Sequence, residues 1–261
     1  MPINEQVKLV KKEQLKNDTF KFTCKSDKIS NEAKAGQFVE VKVSKTLDPI
    51  LRRPISIYNI DKQNGTFEFI FQIRGRGTKL LSEFEENDLI DIVGPLGGGT
   101  FDFKKYKSIA IIGGGIGVFP LYELSKEAKE TANVDIYLGF RNKDFVILEE
   151  EFKKVSNNLT ITTDDGSYGK NGLAIDYLKQ EIDLNKYDCI YACGPLPMLK
   201  GVKALAEEKN IPCQISLEEK MACGIGVCMG CSVKIATKDD TVKYTRVCKA
   251  GPVFDSRLIE I

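Results

Sequence analysis

At Lys107 the chain changes rhythm, and that change limits the folds open to it more than any other feature. Before it, residues 5 to about 103 alternate short β-rich runs with turn signals, at Phe20 to Thr23, Gln37 to Val43, Ile55 to Tyr58, Thr66 to Ile73 and Leu89 to Val93. Regular spacing of this kind predicts an antiparallel barrel or sandwich. Beyond it, apolar strands at Ser108 to Ile112, Val134 to Gly139, Thr160 to Thr163, Cys189 to Ala192 and Pro212 to Ile215 alternate with helical patterns. The helices fall at Phe119 to Lys129, Leu148 to Val155, Gly172 to Gln180 and Pro197 to Glu208, which predicts a parallel sheet with helices on its faces. After Ser216 comes a Cys- and Gly-rich loop, then short strands around Ser232 to Ala236 and Lys243 to Val247. The expected organisation is therefore an antiparallel β-barrel domain over 1–104, a parallel-sheet α/β domain over 105–215 and a small C-terminal domain over 216–261. With 261 residues, 42% hydrophobic and 29% charged, the chain is long enough to bury proper cores, and disorder is not expected,.

Lys plus Arg number 38 and Asp plus Glu 37, a net charge of +1 that offers no general attraction to phosphate backbones or anionic lipid,. Neither nucleic acid nor a membrane is an expected partner. The sequence has no His, which removes Ser-His-Asp and Cys-His nucleophile systems, His-ligated zinc or haem iron, and Rieske clusters, since each needs an imidazole. The apolar stretch from Ile109 to Tyr122 holds four glycines and a proline and falls short of the roughly 20 residues that span a bilayer. The opening Met1-Pro2-Ile3-Asn4-Glu5 lacks the basic-then-apolar order of a secretory signal, so a cytoplasmic location is expected,. In that reducing compartment eight cysteines point to metal ligands or small buried residues rather than disulfides,.

Four of the eight fall late in the chain, as Cys223-Gly-Ile-Gly-Val-Cys228-Met-Gly-Cys231 followed by Cys248. C-x4-C-x2-C with a distant fourth Cys is the plant-type spacing for a 2Fe-2S cluster, in which three thiolates of one loop wrap the metal and a fourth closes it. Gly224, Gly226 and Gly230 let such a loop turn sharply and bring backbone N–H groups toward the sulfurs, which raises the reduction potential. Two plainer readings stand beside it, a structural four-cysteine zinc site and four unrelated buried cysteines. Zinc knuckles pair one C-x2-C with a second, and the second is missing here. Cys24, Cys189, Cys193 and Cys213 are scattered, mostly in predicted strands, and read first as small core residues,.

Ser108 to Ile112 runs into Gly113-Gly114-Gly115-Ile116-Gly117 and then a helix. That is the context in which a Gly-rich turn brings backbone N–H groups to a pyrophosphate, although a strand-to-helix turn is also Gly-rich for packing alone. Val118 stands where the third Gly of G-x-G-x-x-G would be, and Leu138-Gly139-Phe140-Arg141 occupies the place of the usual ribose-binding acid,. A second turn, Cys193-Gly194-Pro195, ends the fourth parallel strand and is expected to face the same crevice, since ligands bind beyond the carboxyl ends of such strands,. Together the two turns predict a nicotinamide dinucleotide site. Asp164 and Asp165 after the third strand disfavour a 2′-phosphate and point to NAD, while Arg141 pulls the other way.

In the first domain Arg52-Arg53-Pro54-Ile55-Ser56-Ile57 lies on a predicted strand, and Gly75-Arg76-Gly77-Thr78 opens a predicted helix over Lys79 to Phe84. Taken singly these are a basic strand end and a capped helix start; together, a helix start beside an arginine makes a pyrophosphate cradle. With the two turns of the second domain they resemble the ferredoxin-NADP reductase superfamily, in which a β-barrel holds FAD and an α/β domain holds the nicotinamide. Its Arg-x-Tyr-Ser/Thr motif falls on Arg53, Ile55 and Ser56, with Ile55 in place of the common aromatic. Including Glu219 to Cys231 and Arg246 to Asp255, the whole chain looks like the electron-transfer subunits of NAD-dependent, two-subunit dihydroorotate dehydrogenases.

That resemblance implies FAD, a 2Fe-2S cluster and NAD as substrate. It also implies an FMN-containing dihydroorotate dehydrogenase catalytic subunit as partner, in a heterotetramer of two copies each, serving pyrimidine biosynthesis. By it, Arg53, Pro54, Ile55, Ser56, Ile70, Phe71, Gln72, Gly77 and Thr78 line FAD, with Ser56 bonded to the reactive edge of the ring and Phe71-Gln72 standing where relatives carry Tyr-Arg. A flavin takes two electrons at once and an iron cluster one, so a chain with both converts between the two kinds of carrier. Reductase subunits of hydrogenases, sulfide dehydrogenases or bifurcating transhydrogenases share this plan and remain the alternative. Met221, Ala222, Ile225, Val227 and Met229 make an apolar collar around the cysteine loop, which is either core packing or a partner surface.

Overall fold

In the computed structural model, which describes residues 2–16, 18–182, 186–236 and 243–261, the first hundred residues close into an antiparallel barrel. Its strands are β1 (Ile3–Lys16), β2 (Thr19–Lys25), β3 (Phe38–Val41), β4 (Arg53–Asp61), β5 (Thr66–Gln72) and β6 (Leu89–Leu96), in the order β1-β2-β5-β4-β3-β6. Alternate residues turn inward, as strand geometry requires. Val7, Leu9, Phe22, Cys24, Val39, Val41, Ile57, Phe67, Phe69, Phe71, Ile90 and Ile92 fill the interior, with Ile29 of α1 (Asp27–Glu32) and Leu81 of α2 (Arg76–Leu81) joining them. Phe22 meets Phe71 edge-on at 5.1 Å between ring centres, a favoured aromatic geometry,.

The sequence pattern does not announce β1. Only Val7 and Leu9 of its fourteen residues are buried, and the rest is largely Lys, Glu and Gln. Yet β1 pairs with both β2 and β6 and is what closes the barrel.

The second sheet runs β10-β9-β8-β7-β11-β12-β15. Its strands are β7 (Ser108–Gly114), β8 (Asn133–Phe140), β9 (Asn158–Thr163), β10 (Lys170–Asn171), β11 (Cys189–Cys193), β12 (Cys213–Ser216) and β15 (Val253–Asp255). The helices α3 (Leu121–Ala128), α4 (Glu149–Lys154), α5 (Ala174–Ile182) and α6 (Leu196–Glu208) connect it. Ile109 to Ile112 are buried throughout, the mark of a parallel strand covered on both faces,. The chain starts at β7, works outward through β8 and β9 and returns to β11, so the strand order reverses between β7 and β11. The expected parallel sheet is extended by one antiparallel edge, β15 on β12.

Within this sheet Asp135 of β8 is buried at 4% exposure and fully engaged. It accepts from Asn158 Nδ2 at 2.8 Å and Tyr187 Oη at 2.9 Å and pairs with Lys186 Nζ at 2.6 Å. The remaining elements are the hairpin β13 (Ser232–Ile235) with β14 (Lys243–Arg246), and the short helix α7 (Val247–Ala250). By contacts the chain divides into two compact units, Met1–Thr100 with Glu218–Ser232 and Arg246–Pro252, and Phe101–Leu217 with Val233–Thr245 and Val253–Ile261. The cysteine loop thus belongs to the barrel unit. Among the described residues no helix is long and apolar enough to cross a membrane.

Candidate functional site

On the barrel, β3 and β4 pair Phe38 with Ser56 and Glu40 with Pro54. Their side chains share the face opposite Val39 and Val41, since paired residues project together and neighbours alternate. Ile55 pairs with Val39 and packs toward the barrel core, so it offers the outer face its backbone alone. Arg53 Nη1 is fixed by the carbonyls of Leu51 at 2.7 Å and Arg52 at 3.2 Å. Its guanidinium lies over Gly77, where a Cβ would come within 2.3 Å of Nε. Gly77 is therefore glycine because an arginine occupies the space of its side chain. The Thr78 hydroxyl accepts the N–H groups of Arg74 at 2.8 Å and Gly75 at 3.3 Å, which shapes the turn into α2.

On β5, Phe71 points into the core cluster while Ile70 and Gln72 point away from it,. Gln72 Nε2 donates to Asp18 at 2.6 Å, and its buried Oε1 has no partner among the described residues. A buried acceptor without a partner fits a surface shaped for a ligand with its own donors,.

The cysteine loop folds onto this same unit. Gly224 and Gly226 have φ of +64° and +82°, backbone that only glycine adopts freely. The Cys228 N–H points at Cys223 Sγ at 3.4 Å, and the Cys248 N–H at Cys231 Sγ at 3.5 Å. Burial works against ionisation of Cys223, but the N–H groups of Cys228, Ile225 and Val227 aimed at its sulfur bring the thiol down to about 6,. Burial and the neighbouring Cys231 sulfur push Cys248 up to about 12. The two N–H bonds set Cys228 beside Cys223 and Cys248 beside Cys231, and the Cys223 sulfur also acts on Cys248. Among the described residues no three His, Cys, Asp or Glu side chains converge as ligands of a single ion. An all-thiol donor set in two pairs fits a two-iron cluster, in which each iron takes two protein sulfurs.

The segment bearing Cys248 is anchored on the barrel by Gly98 N to Lys249 O and Gly99 N to Gly251 O, both 2.9 Å. Gly224 rests on Glu40, whose carboxyl is 1% exposed, has neither oxygen partnered among the described residues, and is pushed up to about 7 by burial and the Cys223 sulfur against the pull of Arg52 and Arg53. In the collar Ile225, Val227 and Met229 are exposed, Val227 at 77%, so these three are surface rather than core packing.

In the second unit the two glycine turns touch. A Cβ on Gly117 would lie 2.6 Å from the Gly194 backbone, and one on Gly194 2.9 Å from Gly114 N. The close approach expected of a third glycine is made here by Gly117, which frees Val118 to enter the core with no exposure. Gly115 has φ of +56° and open space around it, and Ile116 beside it is partly exposed. Pro195 and Met198 flank Gly114, and Cys193 is buried at the end of β11. At the ends of β8 and β9, Arg141 stacks 5.8 Å from the Phe145 ring, and the Lys143 N–H bonds Ser167 Oγ at 2.8 Å. Asp165 is held low by hydrogen bonds from Ser167 and is occupied within its own turn, while the Asp164 side chain has no partner among the described residues. Sequence reasoning passed over Glu40 and Phe145, neither of which belongs to a recognisable motif.

Residues 6–101 match the oxidoreductase FAD-binding domain family, residues 111–204 the oxidoreductase NAD-binding domain family, and residues 218–260 the iron-sulfur cluster binding domain of dihydroorotate dehydrogenase B. A dihydroorotate dehydrogenase B (NAD(+)) electron transfer subunit of Lysinibacillus sphaericus is 40% identical over 254 residues, 96% of either chain. This chain belongs to the family of dihydroorotate dehydrogenase B electron transfer subunits. The Fusobacterium nucleatum member is 41% identical over 95% of both chains. Among solved structures, an NADH-dependent reduced ferredoxin-NADP oxidoreductase studied for flavin-based electron bifurcation superposes with a TM-score of 0.86 at 32% identity, covering 98% of this chain and 90% of its own. The barrel, parallel-sheet and iron-sulfur parts are those expected from the sequence, and members of this family are oxidoreductases built on FAD, NAD and an iron-sulfur cluster.

Proposed function

We propose that the chain passes electrons between NAD and the FMN-containing catalytic subunit of a dihydroorotate dehydrogenase, in the cytoplasm, as part of a heterotetramer with two copies of each subunit. Residues 1–104 hold FAD, 105–215 the nicotinamide dinucleotide and 216–261 the cluster. FAD, if held here, would supply hydride exchange with a nicotinamide and single-electron exchange with a cluster, so a chain holding all three would join a two-electron carrier to a one-electron path.

The chain's residues supply position. Arg53, braced by the carbonyls of Leu51 and Arg52, turns the rest of its guanidinium to the flavin pyrophosphate over Gly77 and Thr78,. Pro54, Ser56, Ile70 and Gln72, with the backbone of Ile55 and the support of Phe71, line the ring, and the Ser56 hydroxyl orients its reactive edge. Cys223, Cys228, Cys231 and Cys248 hold the cluster. Gly113, Gly114, Gly115, Ile116 and Gly117 receive the dinucleotide pyrophosphate, with Cys193, Gly194 and Pro195 on the nicotinamide side. The observation that carries the reading is that Gly224 of the cysteine loop packs on Glu40, on the barrel face that also bears Pro54 and Ser56. This juxtaposition supports a short path from flavin to cluster inside one unit. The exposed Ile225, Val227 and Met229 then suit a partner that excludes water around the cluster,.

Anaerobic purification is expected to yield about two irons and two labile sulfides per chain. The isolated chain should reduce dyes with NADH, and NAD-dependent dihydroorotate oxidation should arise only when an FMN-containing dihydroorotate oxidase is added. Dihydroorotate-dependent NAD reduction by the chain alone, or failure to associate with any such oxidase, overturns the reading.

A further inference from the structure

Glu40 stands where two functional surfaces of the barrel unit meet. Its register partner is Pro54, and Phe38 two residues earlier faces Ser56, so it shares the outer face with the flavin-site candidates,. On that face the cysteine loop closes over it, since a Cβ at Gly224 would sit 2.4 Å from both its Cγ and Oε1. The side chain is 1% exposed and neither oxygen has a partner among the described residues. The cations around it are committed elsewhere. Arg52 gives Nη1 and Nη2 to the carbonyl and carboxylate of Asp91 at 2.8 Å each, and Arg53 Nη1 is held by backbone carbonyls. The other titratable group facing it is Cys223.

Packing does not account for this residue, because an apolar side chain of the same length would fill the space without an unmet hydrogen-bonding demand. What a carboxyl adds is a field. In a dry wall, charge acts through a low effective dielectric and is little screened by salt.

We propose that Glu40 is a positioning residue of the electron path, whose carboxylate, held under the cysteine loop, lowers the reduction potential of the cluster bound there. The inference rests on the assignment of the four cysteines to that cluster. Electron arrival adds negative charge to the loop, and a carboxylate fixed against Gly224 opposes it. The protein thereby offsets part of the rise in potential that the loop's own N–H groups produce.

The test is a redox titration followed by the EPR signal of the reduced cluster, on the full chain loaded with FAD and iron. It is run at about pH 9, far above the ordinary carboxylate range, because burial raises this carboxyl,. Glu40→Gln and Glu40→Met are both expected to make reduction easier by about tenfold in the one-electron equilibrium, a rise of about 59 mV. Glu40→Asp, which keeps the charge, should stay closer to the wild type. Wild-type potentials in the loaded neutral variants overturn the proposal. So does loss of the cluster from both, which would make Glu40 a support for the loop and nothing more. A wild-type chain that takes up no iron refutes the cysteine assignment and the proposal with it, and metal analysis separates that case from the others.

Discussion

Glu40 in the barrel unit and Asp135 in the nucleotide-binding unit are both carboxyls buried almost completely, and the two are treated in opposite ways. Asp135, in the nucleotide-binding sheet, is met by Asn158, Tyr187 and Lys186. Although burial alone would raise it, those partners hold it below the ordinary carboxylate value. Glu40, on the barrel, has no partner among the described residues and lies well above that value. A satisfied buried acid serves the fold, tying β8 to β9 and to the segment that leads into β11. An unsatisfied one weakens the fold, which fits the role proposed for it under the cysteine loop.

The largest test of that contrast is Asp135→Ala. It leaves Lys186 and Tyr187 without their shared acceptor and should destabilise the chain by about 3 kcal/mol in denaturant unfolding. A cost below about 1 kcal/mol would show that the network is ornamental. Glu40→Met should move the other way in the apo chain. A carboxyl raised from 4.5 to about 7 binds its proton more tightly folded than unfolded, so its drag on stability is absent at low pH and grows as pH rises through that window,. The variant should therefore gain roughly 2 to 3 kcal/mol at about pH 8 and almost nothing at about pH 4. Asp135 has the reverse sign, its contribution being present above the usual carboxylate range and lost as pH falls through its lowered value,. Equal pH profiles in the two variants would erase the distinction.

The two cradles sharpen the same comparison. In the nucleotide unit backbone touches backbone at Gly117 and Gly194, and neither can yield, so Gly117→Val should weaken NADH binding about a hundredfold by direct titration,. In the barrel unit Gly77 faces the end of the flexible Arg53 side chain, and Gly77→Ala should cost about tenfold in FAD affinity, since the guanidinium can shift,. A larger effect at Gly77 than at Gly117 would mean that Arg53 is as rigid as a peptide. Smallest of all, Asp164→Ala should narrow the preference for NADH over NADPH by a few-fold in KM, with Arg141 then accepting the 2′-phosphate.

The legible features were those in which one residue type answers one physical demand. Cysteine spacing read as a cluster loop, and glycines after an apolar strand read as a turn approached by another backbone. The alternating strands β2 to β6 could be placed because their inward residues are strongly apolar. Strand β1 was hidden because Val7 and Leu9 are the only residues it buries, and its lysines and glutamates describe its solvent face. The antiparallel β15 was hidden because three residues carry no period. Glu40 could not be found at all, since a glutamate in a strand pattern looks like a solvent-facing residue until the loop that covers it, nearly two hundred positions later, is in place.

The anchoring of Lys249 and Gly251 on Gly98 and Gly99 sets an order of manufacture. Domains fold largely as they emerge during synthesis, and the barrel strands emerge first. The outer wall of the barrel nevertheless stays uncovered, and its thiol site incomplete, until strands β7 to β12 of the nucleotide-binding sheet have been made and Cys248 has followed them. Iron delivered early would meet three sulfurs and an open side. On the proposed cysteine assignment, assembly of the metal centre is thus a late event in the life of the chain, and truncation between Cys231 and Cys248 would release a protein with its barrel strands in place but without β15 and without the proposed electron exit.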